Sequence, residues 1–82
     1  GRPLELRPFR RSVEWGLLST GSEDLVLALN LGNEVYEGYL SFNYRGVSRV
    51  RDITRGESLP VESGKLRLKL EPRTAFVGYV EG

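Results

Sequence analysis

Carboxylates, hydroxyls, lysines and arginines are the side chains left to do chemistry in this 82-residue chain, because it contains no His and no Cys. An imidazole base, a thiolate nucleophile, a disulfide framework and a Cys/His zinc site are therefore excluded. Neither G-x-G-x-x-G nor G-x-x-x-x-G-K, the glycine-rich phosphate-binding patterns, occurs. The chain is also too short for a (β/α)₈ barrel, which takes about 200 residues or more. We expect no catalytic residues, no cofactor and no metal.

Paired carboxylates were considered because glycosidases use two of them, about 5 to 9.5 Å apart. Three pairs lie close together in the sequence: Glu23 with Asp24, Glu34 with Glu37, and Asp52 with Glu57. All fall in predicted turns or on polar strand faces, which indicates solvated surface charge. Asp52 stands before a Thr-x-Gly turn, where we expect its carboxylate to accept backbone N–H groups.

Aromatic side chains could stack on sugar rings if several were exposed together. The candidates are Trp15, Tyr36, Tyr39, Tyr44 and Tyr79. In a domain of this size most aromatic residues fill the core or its rim. Tyr39 is expected to be the most exposed, because its predicted strand face also carries Glu37 and Ser41. We assign Tyr39 and Trp15 as the candidate ligand-binding residues.

A basic strip occupies the middle of the chain, at Arg45, Arg49, Arg51 and Arg55. A site for single-stranded nucleic acid needs aromatic side chains between such charges, and Tyr44 alone lies next to them. The net charge of +1 gives no bulk electrostatic reason to expect nucleic acid or an anionic membrane. The longest uncharged apolar run, Leu25 to Leu29, is far short of the roughly 20 residues that span a bilayer. We therefore expect no membrane partner and favour a solvated face, or an interface with acidic residues of a neighbouring domain, over nucleic acid.

Turn residues divide the chain from Val13 onward into short apolar stretches, about 8 to 13 residues apart, which predicts strands rather than helices. The clearest alternates Leu66, Leu68 and Leu70 with charged residues, as in a strand with one buried face. Pro60 predicts an edge strand, since proline cannot donate to a ladder. The pattern predicts an all-β fold, a small antiparallel β-sandwich of Greek-key type with six to eight strands.

The stretch from Asp24 to Leu31 is the most apolar in the chain. Its leucines, at every second position from Leu25 to Leu31, fall on one face, and Val26 and Ala28 fall on the other. This two-sided pattern predicts a central strand that is covered on both faces.

Residues 1–11 differ in composition from the rest. Pro3 and Pro8 disfavour a helix or a central strand, and four arginines concentrate positive charge: Arg2, Arg7, Arg10 and Arg11. We predict a basic linker or N-terminal arm over residues 1–11 and a sandwich domain over residues 12–82. Because the chain begins with Gly and contains no Met, we also expect a fragment of a longer polypeptide.

Arg outnumbers Lys ten to two, and Gln, Cys and Met are absent. This is similar to the depletion of thermolabile residues in thermophiles, although genomic base composition explains the Arg excess equally well. Cellular location stays open, since a cysteine-free domain folds equally well in the cytosol or outside the cell.

Three segments of the second half carry a family resemblance: Val50 to Glu57 (VRDITRGE), Gly64 to Arg73 (GKLRLKLEPR) and Ala75 to Val77 (AFV). They resemble the C-terminal β-sandwich domain of α-amylase-like and β-galactosidase-like glycoside hydrolases. In those domains the order along the chain is an Asp before a Thr-Gly-type turn, then a Gly, an alternating Leu strand, a Pro and a last apolar strand. Leu25 to Asn30 is similar to the strand in which such domains carry an Asn near its end. The likeness covers residues 13 to 81.

The resemblance implies a non-catalytic accessory domain of a carbohydrate-active enzyme. Its implied partner is the glycoside hydrolase catalytic barrel of the same chain, and the accessory domain packs against this barrel and stabilises it. Two alternatives remain open. One is an independent carbohydrate-binding module that holds a glycan with its aromatic residues. The other is a small β-barrel that binds nucleic acid through the segment from Arg45 to Arg55.

Overall fold

A computed structural model describes residues 3–44 and 46–82, which form two β-sheets around a shared core. The described strands are β1 (Leu4–Arg7), β2 (Val13–Ser19), β3 (Asp24–Asn30), β4 (Tyr36–Phe42), β5 (Arg49–Asp52), β6 (Ser58–Pro60), β7 (Lys65–Leu70) and β8 (Ala75–Glu81). The smaller sheet has the order β1-β4-β7 and the larger sheet the order β2-β3-β8-β5-β6. All neighbouring strands are antiparallel. The predicted antiparallel sandwich is confirmed.

The last strand sets the topology of the larger sheet. β8 lies between β3 and β5, so it separates two strands that precede it by many residues. β7, which precedes β8 in the chain, lies in the smaller sheet, so the four residues between β7 and β8 carry the chain from one sheet to the other. Gly1, Arg2 and Arg45, which belong to the predicted arm and basic strip, lie outside the described residues.

Alternation along the strands directs one side chain in two toward the space between the sheets. In β7, Leu66, Leu68 and Leu70 are buried, whereas the residues between them are exposed. In β4, Tyr36, Leu40 and Phe42 are buried in the same way. The one-sided pattern predicted for Leu66, Leu68 and Leu70 is therefore confirmed, and β4 follows the same pattern. The buried apolar core comprises Leu4, Leu6, Val13, Val26, Ala28, Tyr36, Leu40, Phe42, Val50, Leu66, Leu68, Leu70 and Phe76.

β3 departs from its prediction. It lies between β2 and β8, as a central strand should, and Val26 and Ala28 face the core. Its other face is not covered, because Leu27 and Leu29 are 40% and 37% exposed. The prediction of burial on both faces is therefore wrong: the larger sheet has the smaller sheet on one side and nothing from the described residues on the other.

The N-terminal stretch also departs from its prediction. Leu4–Arg7 pairs with β4 in register, from Leu4 opposite Phe42 to Arg7 opposite Tyr39. Leu4 and Leu6 are buried in the core. The solvated arm predicted over residues 1–11 is thus wrong for these four residues, which contribute a strand of the sandwich. The prolines on either side, Pro3 and Pro8, are compatible with this placement because β1 is an edge strand.

Two further positions show how local residue types fit the sheets. Pro60 ends β6, which is the edge strand of the larger sheet, as predicted. Gly78 lies in β8 where a Cβ atom would collide with the Val50 side chain and lie 3.0 Å from the Arg51 carbonyl oxygen. Glycine at this position therefore permits β8 and the core residues of β5 to approach closely.

Candidate functional site

The outer face of the larger sheet carries a contiguous set of apolar side chains. Strand register places them in neighbouring rows: Leu18, Leu25 and Tyr79 lie side by side, and Leu27 lies beside Val77. Leu18 is 53% exposed and Ile53 is 48% exposed. We call this surface the apolar face and define it by its members Leu18, Leu25, Leu27, Leu29, Ile53, Ala75, Val77 and Tyr79.

A shallow depression lies in the apolar face. Gly16 of β2 stands opposite Leu27 and presents no side chain to the surface, and a Cβ atom there would contact nothing within 4 Å. Leu27, Leu29, Ala75 and Val77 contribute to the lining of a depression of about 270 Å³ at this place. The apolar face is therefore concave enough to accept a side chain from another surface.

Charged residues border the apolar face at two opposite corners. Glu14 of β2 lies opposite Leu29. At the far side the Arg51 guanidinium lies 5.5 Å from the centre of the Tyr79 ring, and its Nε atom lies 3.7 Å from a Glu81 carboxylate oxygen. Arg49 and Arg51 both lie on this outer face of β5, as predicted for the basic strip. The arginines are thus part of the border of an apolar surface.

Among residues 3–44 and 46–82, a single aromatic ring occupies the outer face of the smaller sheet. Tyr39 of β4 lies between Arg7 of β1 and Arg67 of β7 in the strand register. The Lys65 ammonium lies 5.0 Å from the centre of the Tyr39 ring, within cation–π distance. We call the surface formed by Arg7, Tyr39, Lys65, Arg67 and Lys69 the basic face.

Trp15 is the other predicted ligand-binding residue. Its indole N–H donates to the Leu4 carbonyl oxygen at 3.3 Å, and its ring packs edge to face against Phe9 at 6.1 Å between ring centres. Trp15 is half-buried against the core and joins β2 to β1. The structure therefore does not bring Trp15 and Tyr39 together, since they lie on different sheets and Trp15 takes part in packing between strands.

Asn30 is the buried polar side chain at the end of β3, with 1% of its surface exposed. Its amide nitrogen donates to the carbonyl oxygens of Glu34 at 2.8 Å, Leu70 at 3.0 Å and Glu71 at 3.3 Å. Its side-chain oxygen accepts the Gly32 N–H at 2.9 Å. Asn30 thus fastens the end of β3, in the larger sheet, to the end of β7, in the smaller one.

The predicted turn at Asp52 is confirmed. Its side-chain oxygen Oδ1 accepts the backbone N–H of Thr54 at 2.8 Å and that of Arg55 at 3.4 Å. Such a bond to the residue two positions on defines an Asx turn. The Asp52 carboxylate therefore has a structural role in the turn that follows β5.

The other carboxylates of the sequence pairs lie at the surface. Glu23, Glu34, Glu37 and Glu57 are exposed, and half-buried Asp24 accepts the Ser19 hydroxyl at 2.7 Å. Within residues 3–44 and 46–82, acidic side chains form no group of three or more that could hold a metal ion. These carboxylates have the environment of solvated surface charge.

Two tyrosine hydroxyls have perturbed acidity. Burial raises the pKa of Tyr36 above 10, an effect that Arg10 opposes. The Tyr36 hydroxyl donates to the Pro8 carbonyl oxygen at 2.7 Å. Burial, with the negative charge of Asp24 adding to it, raises the pKa of Tyr44 above 10. Both groups are neutral at physiological pH and contribute to packing.

Sequence reasoning missed the two surfaces that the structure makes most distinctive. The apolar face was present in the sequence as the leucines at alternate positions of β3, but their exposure depends on which side of the sheet is covered. The basic face depends on the pairing of β4 with β7, which joins residues that are far apart in the sequence. Within the described part of the chain, no helix is long and apolar enough to cross a membrane.

Comparison with known proteins adds no relative to this description. No family model, no curated protein and no solved structure matches the chain.

Proposed function

We propose that this chain is a non-catalytic accessory β-sandwich of a carbohydrate-active enzyme, and that its apolar face packs against a glycoside hydrolase catalytic barrel in the same polypeptide. The observation that carries the proposal is the apolar face itself. The glycoside hydrolase assignment of the partner rests on the sequence resemblance of residues 13 to 81, in which Asp52 and Asn30 occupy matching positions.

The size of the apolar face supports a docking role. Four strands about 4.8 Å apart give the apolar face a width of about 14 Å, and six residues at about 3.4 Å each give it a length of about 20 Å along β3. Its footprint is therefore on the order of 300 Å². A patch of this size is comparable with the largest apolar patches on monomeric proteins, which are often interaction sites. It is also in the range of one side of a small interface between domains of one chain.

The composition of the border supports the same role. Interfaces between domains combine an apolar centre with a polar rim, and Glu14, Arg49 and Arg51 supply that rim here. One corner carries Glu14 and the other carries two arginines with Glu81, so the net charges of the corners are opposite. These charges would fix the orientation of the partner, because like charges brought together across an interface oppose binding. A partner surface with an aliphatic or aromatic side chain opposite Gly16, a cation near Glu14 and an anion near Arg49 fits this arrangement.

The experiment introduces a charge into the apolar face. Leu27→Glu is compared with Val35→Glu, since Val35 is also an exposed aliphatic residue, at 45%, and lies outside the apolar face. Both variants are made in the isolated chain and in the parent polypeptide. The isolated chain should keep its thermal midpoint in both. Docking would bury the 40% of Leu27 that is still exposed, which is worth about 0.6 to 1.2 kcal/mol out of about 1.5 to 3 kcal/mol for a whole leucine side chain. Burial of the new carboxylate without a partner adds a larger penalty. Leu27→Glu should therefore weaken binding of the isolated chain to a separately produced catalytic domain about tenfold or more.

In the parent polypeptide, Leu27→Glu should shorten the half-life of the catalytic activity on heating, whereas Val35→Glu should leave it unchanged. Two results would refute the proposal. One is a parent reading frame that encodes no glycoside hydrolase domain. The other is equal behaviour of the two variants, in the binding measurement and in the inactivation measurement.

A further inference from the structure

The basic face lies on the opposite side of the sandwich from the apolar face, so it stays accessible when the apolar face is covered. Strand register arranges it in rows: Glu5, Ser41 and Lys65 form one, and Arg7, Tyr39 and Arg67 form the next. Glu37 and Lys69 lie opposite each other in the third. Glu5, Glu37 and Ser41 therefore lie among the members of the basic face. Together these described residues bring cations, carboxylates, a hydroxyl and one aromatic ring onto one sheet surface.

Three of its cations have no anionic partner. Among the described residues, no carboxylate oxygen lies within 4.0 Å of the side-chain nitrogens of Lys65, Arg67 or Lys69. Arg7 differs, since its guanidinium lies 2.9 Å from a Glu5 carboxylate oxygen. The three unpaired cations occupy alternate positions of β7 and are spaced about 6.7 Å apart along the strand. They form a line of positive charge along β7, which Glu37, opposite Lys69, offsets in part without an ion pair.

Tyr39 stands beside this line. Its ring is half-buried between the flanking strands, and the Lys65 ammonium lies over it at 5.0 Å. The ammonium therefore occupies the outer face of the ring, and because Lys65 is exposed it can swing away when a ligand packs there. The same face could receive the C–H groups of a pyranose ring, while the ammonium moves onto an acidic group of the same sugar.

We propose that the basic face binds an acidic polysaccharide, with uronic acid residues as its anionic groups. Arg67 and Lys65 pair with sugar carboxylates, one sugar ring packs on Tyr39, and Glu37 and Ser41 accept hydrogen bonds from sugar hydroxyls. This site is separate from the apolar face, and the inference does not depend on the docking role proposed above.

The composition of the face favours an acidic sugar over a nucleic acid. Proteins that bind single strands stack successive bases on several aromatic side chains, and Tyr39 is the one aromatic ring that the described residues place on this face. Glu5 and Glu37 would repel phosphates and uronates alike, but these carboxylates are also acceptors for sugar hydroxyls, which a polysaccharide offers in larger number than a nucleic acid.

The test is calorimetric titration of the 82-residue chain with an oligogalacturonate, a neutral galactan oligomer of the same length and an oligouridylate. We expect binding of the oligogalacturonate and none of the neutral oligomer. Arg67→Glu and Tyr39→Leu should each weaken this binding about tenfold or more, since each removes a direct contact. Arg49→Glu makes the same charge change on the other sheet and should alter it by less than about twofold.

Tyr39→Phe keeps the ring and should retain binding, so comparison with Tyr39→Leu shows whether the ring itself is needed. Circular dichroism and thermal midpoints check that every variant is folded. Absence of oligogalacturonate binding would overturn the inference. So would equal weakening by Arg49→Glu and Arg67→Glu, which would mark attraction to polyanions in general. Tighter binding of the oligouridylate, falling steeply between about 50 and 200 mM salt, would assign the face to single-stranded nucleic acid instead.

Discussion

Replacement of Asn30 by Ala should remove the strongest polar connection between the two sheets. The substitution deletes the acceptor of the Gly32 N–H and the donor to three carbonyl oxygens, which belong to Glu34, Leu70 and Glu71. The bond to Leu70 is fully buried, so water cannot replace it without entering the core. The variant therefore removes these partners from backbone groups of the loop between β3 and β4 and of the end of β7.

The size of the effect follows from the number of bonds. The amide has two hydrogens, so its three donor contacts amount to two full hydrogen bonds, and the side-chain oxygen adds a third. At about 1 kcal/mol net for each bond, Asn30→Ala should lower the free energy of unfolding by about 3 kcal/mol. A chain of this length has about 4 to 12 kcal/mol in total. The thermal midpoint should fall by about 12 to 24 °C.

Asn30→Asp provides a sharper test because its effect should depend on pH. The carboxylate would stand 2.8 to 3.3 Å from the three carbonyl oxygens that the amide now bonds. Their repulsion and the burial raise the pKa of the new carboxyl in the folded state above its unfolded value of about 3.9. The folded state then binds a proton more tightly than the unfolded state. The free energy of unfolding should therefore rise as the pH falls toward about 4, and it should decrease as the pH rises, by at most about 1.4 kcal/mol per pH unit.

Urea unfolding at several pH values measures these differences. Asn33→Ala is the control, since the exposed Asn33 side chain accepts a hydrogen bond from the exposed Arg73 at 2.7 Å and from no other residue of the described chain. It should change stability by less than about 0.5 kcal/mol. A loss below about 1 kcal/mol for Asn30→Ala, or a pH-independent loss for Asn30→Asp, would refute the reasoning that Asn30 joins the sheets through buried hydrogen bonds.

Two further predictions concern packing and alkaline stability. Gly78→Ala should lower the free energy of unfolding by about 1 to 3 kcal/mol, because its Cβ atom would collide with Val50. Gly16 has open space around it, so Gly16→Ala should lower the free energy of unfolding by less than about 0.5 kcal/mol, measured by the same urea titration. Because the pKa values of Tyr36 and Tyr44 are raised, the unfolded state loses these protons first and stability should fall as the pH rises above 10. The free energy of unfolding should fall less steeply with pH in Tyr36→Phe than in the wild type. Equal slopes for the two proteins would contradict the prediction that Tyr36 contributes to this loss.

Local patterns predicted much of the fold because they act within a single strand. The alternation of Leu66, Leu68 and Leu70 with charged residues specifies one buried face wherever the strand is placed. Pro60 excludes a central position because it lacks an N–H, and Asp52 forms its turn through bonds to the next few residues. None of these features needs knowledge of a distant partner.

The candidate surfaces could not be predicted in the same way. The apolar pattern of β3 is the same whether its leucine face is covered or exposed, and the sequence does not say how many sheets the chain supplies to cover it. The short β1 was missed because Leu4 and Leu6 stand between prolines and arginines, and their burial depends on pairing with β4. Tyr39 lies on the polar face of β4, as predicted, but it is half-buried, and its cationic neighbours come from other strands that the sequence did not place beside it.

The all-β character, the one-sided strands and the turns follow from local sequence, since these depend on residue type and on the two-residue period of a strand. Which faces remain open, and which residues share them, follows from how the strands and sheets come together. The tertiary structure placed Leu27 on an uncovered surface, Trp15 in a contact between strands, and Tyr39 beside Arg67. The physical reason is that pairing between distant strands and the stacking of one sheet on the other are long-range choices, whereas strand alternation is local.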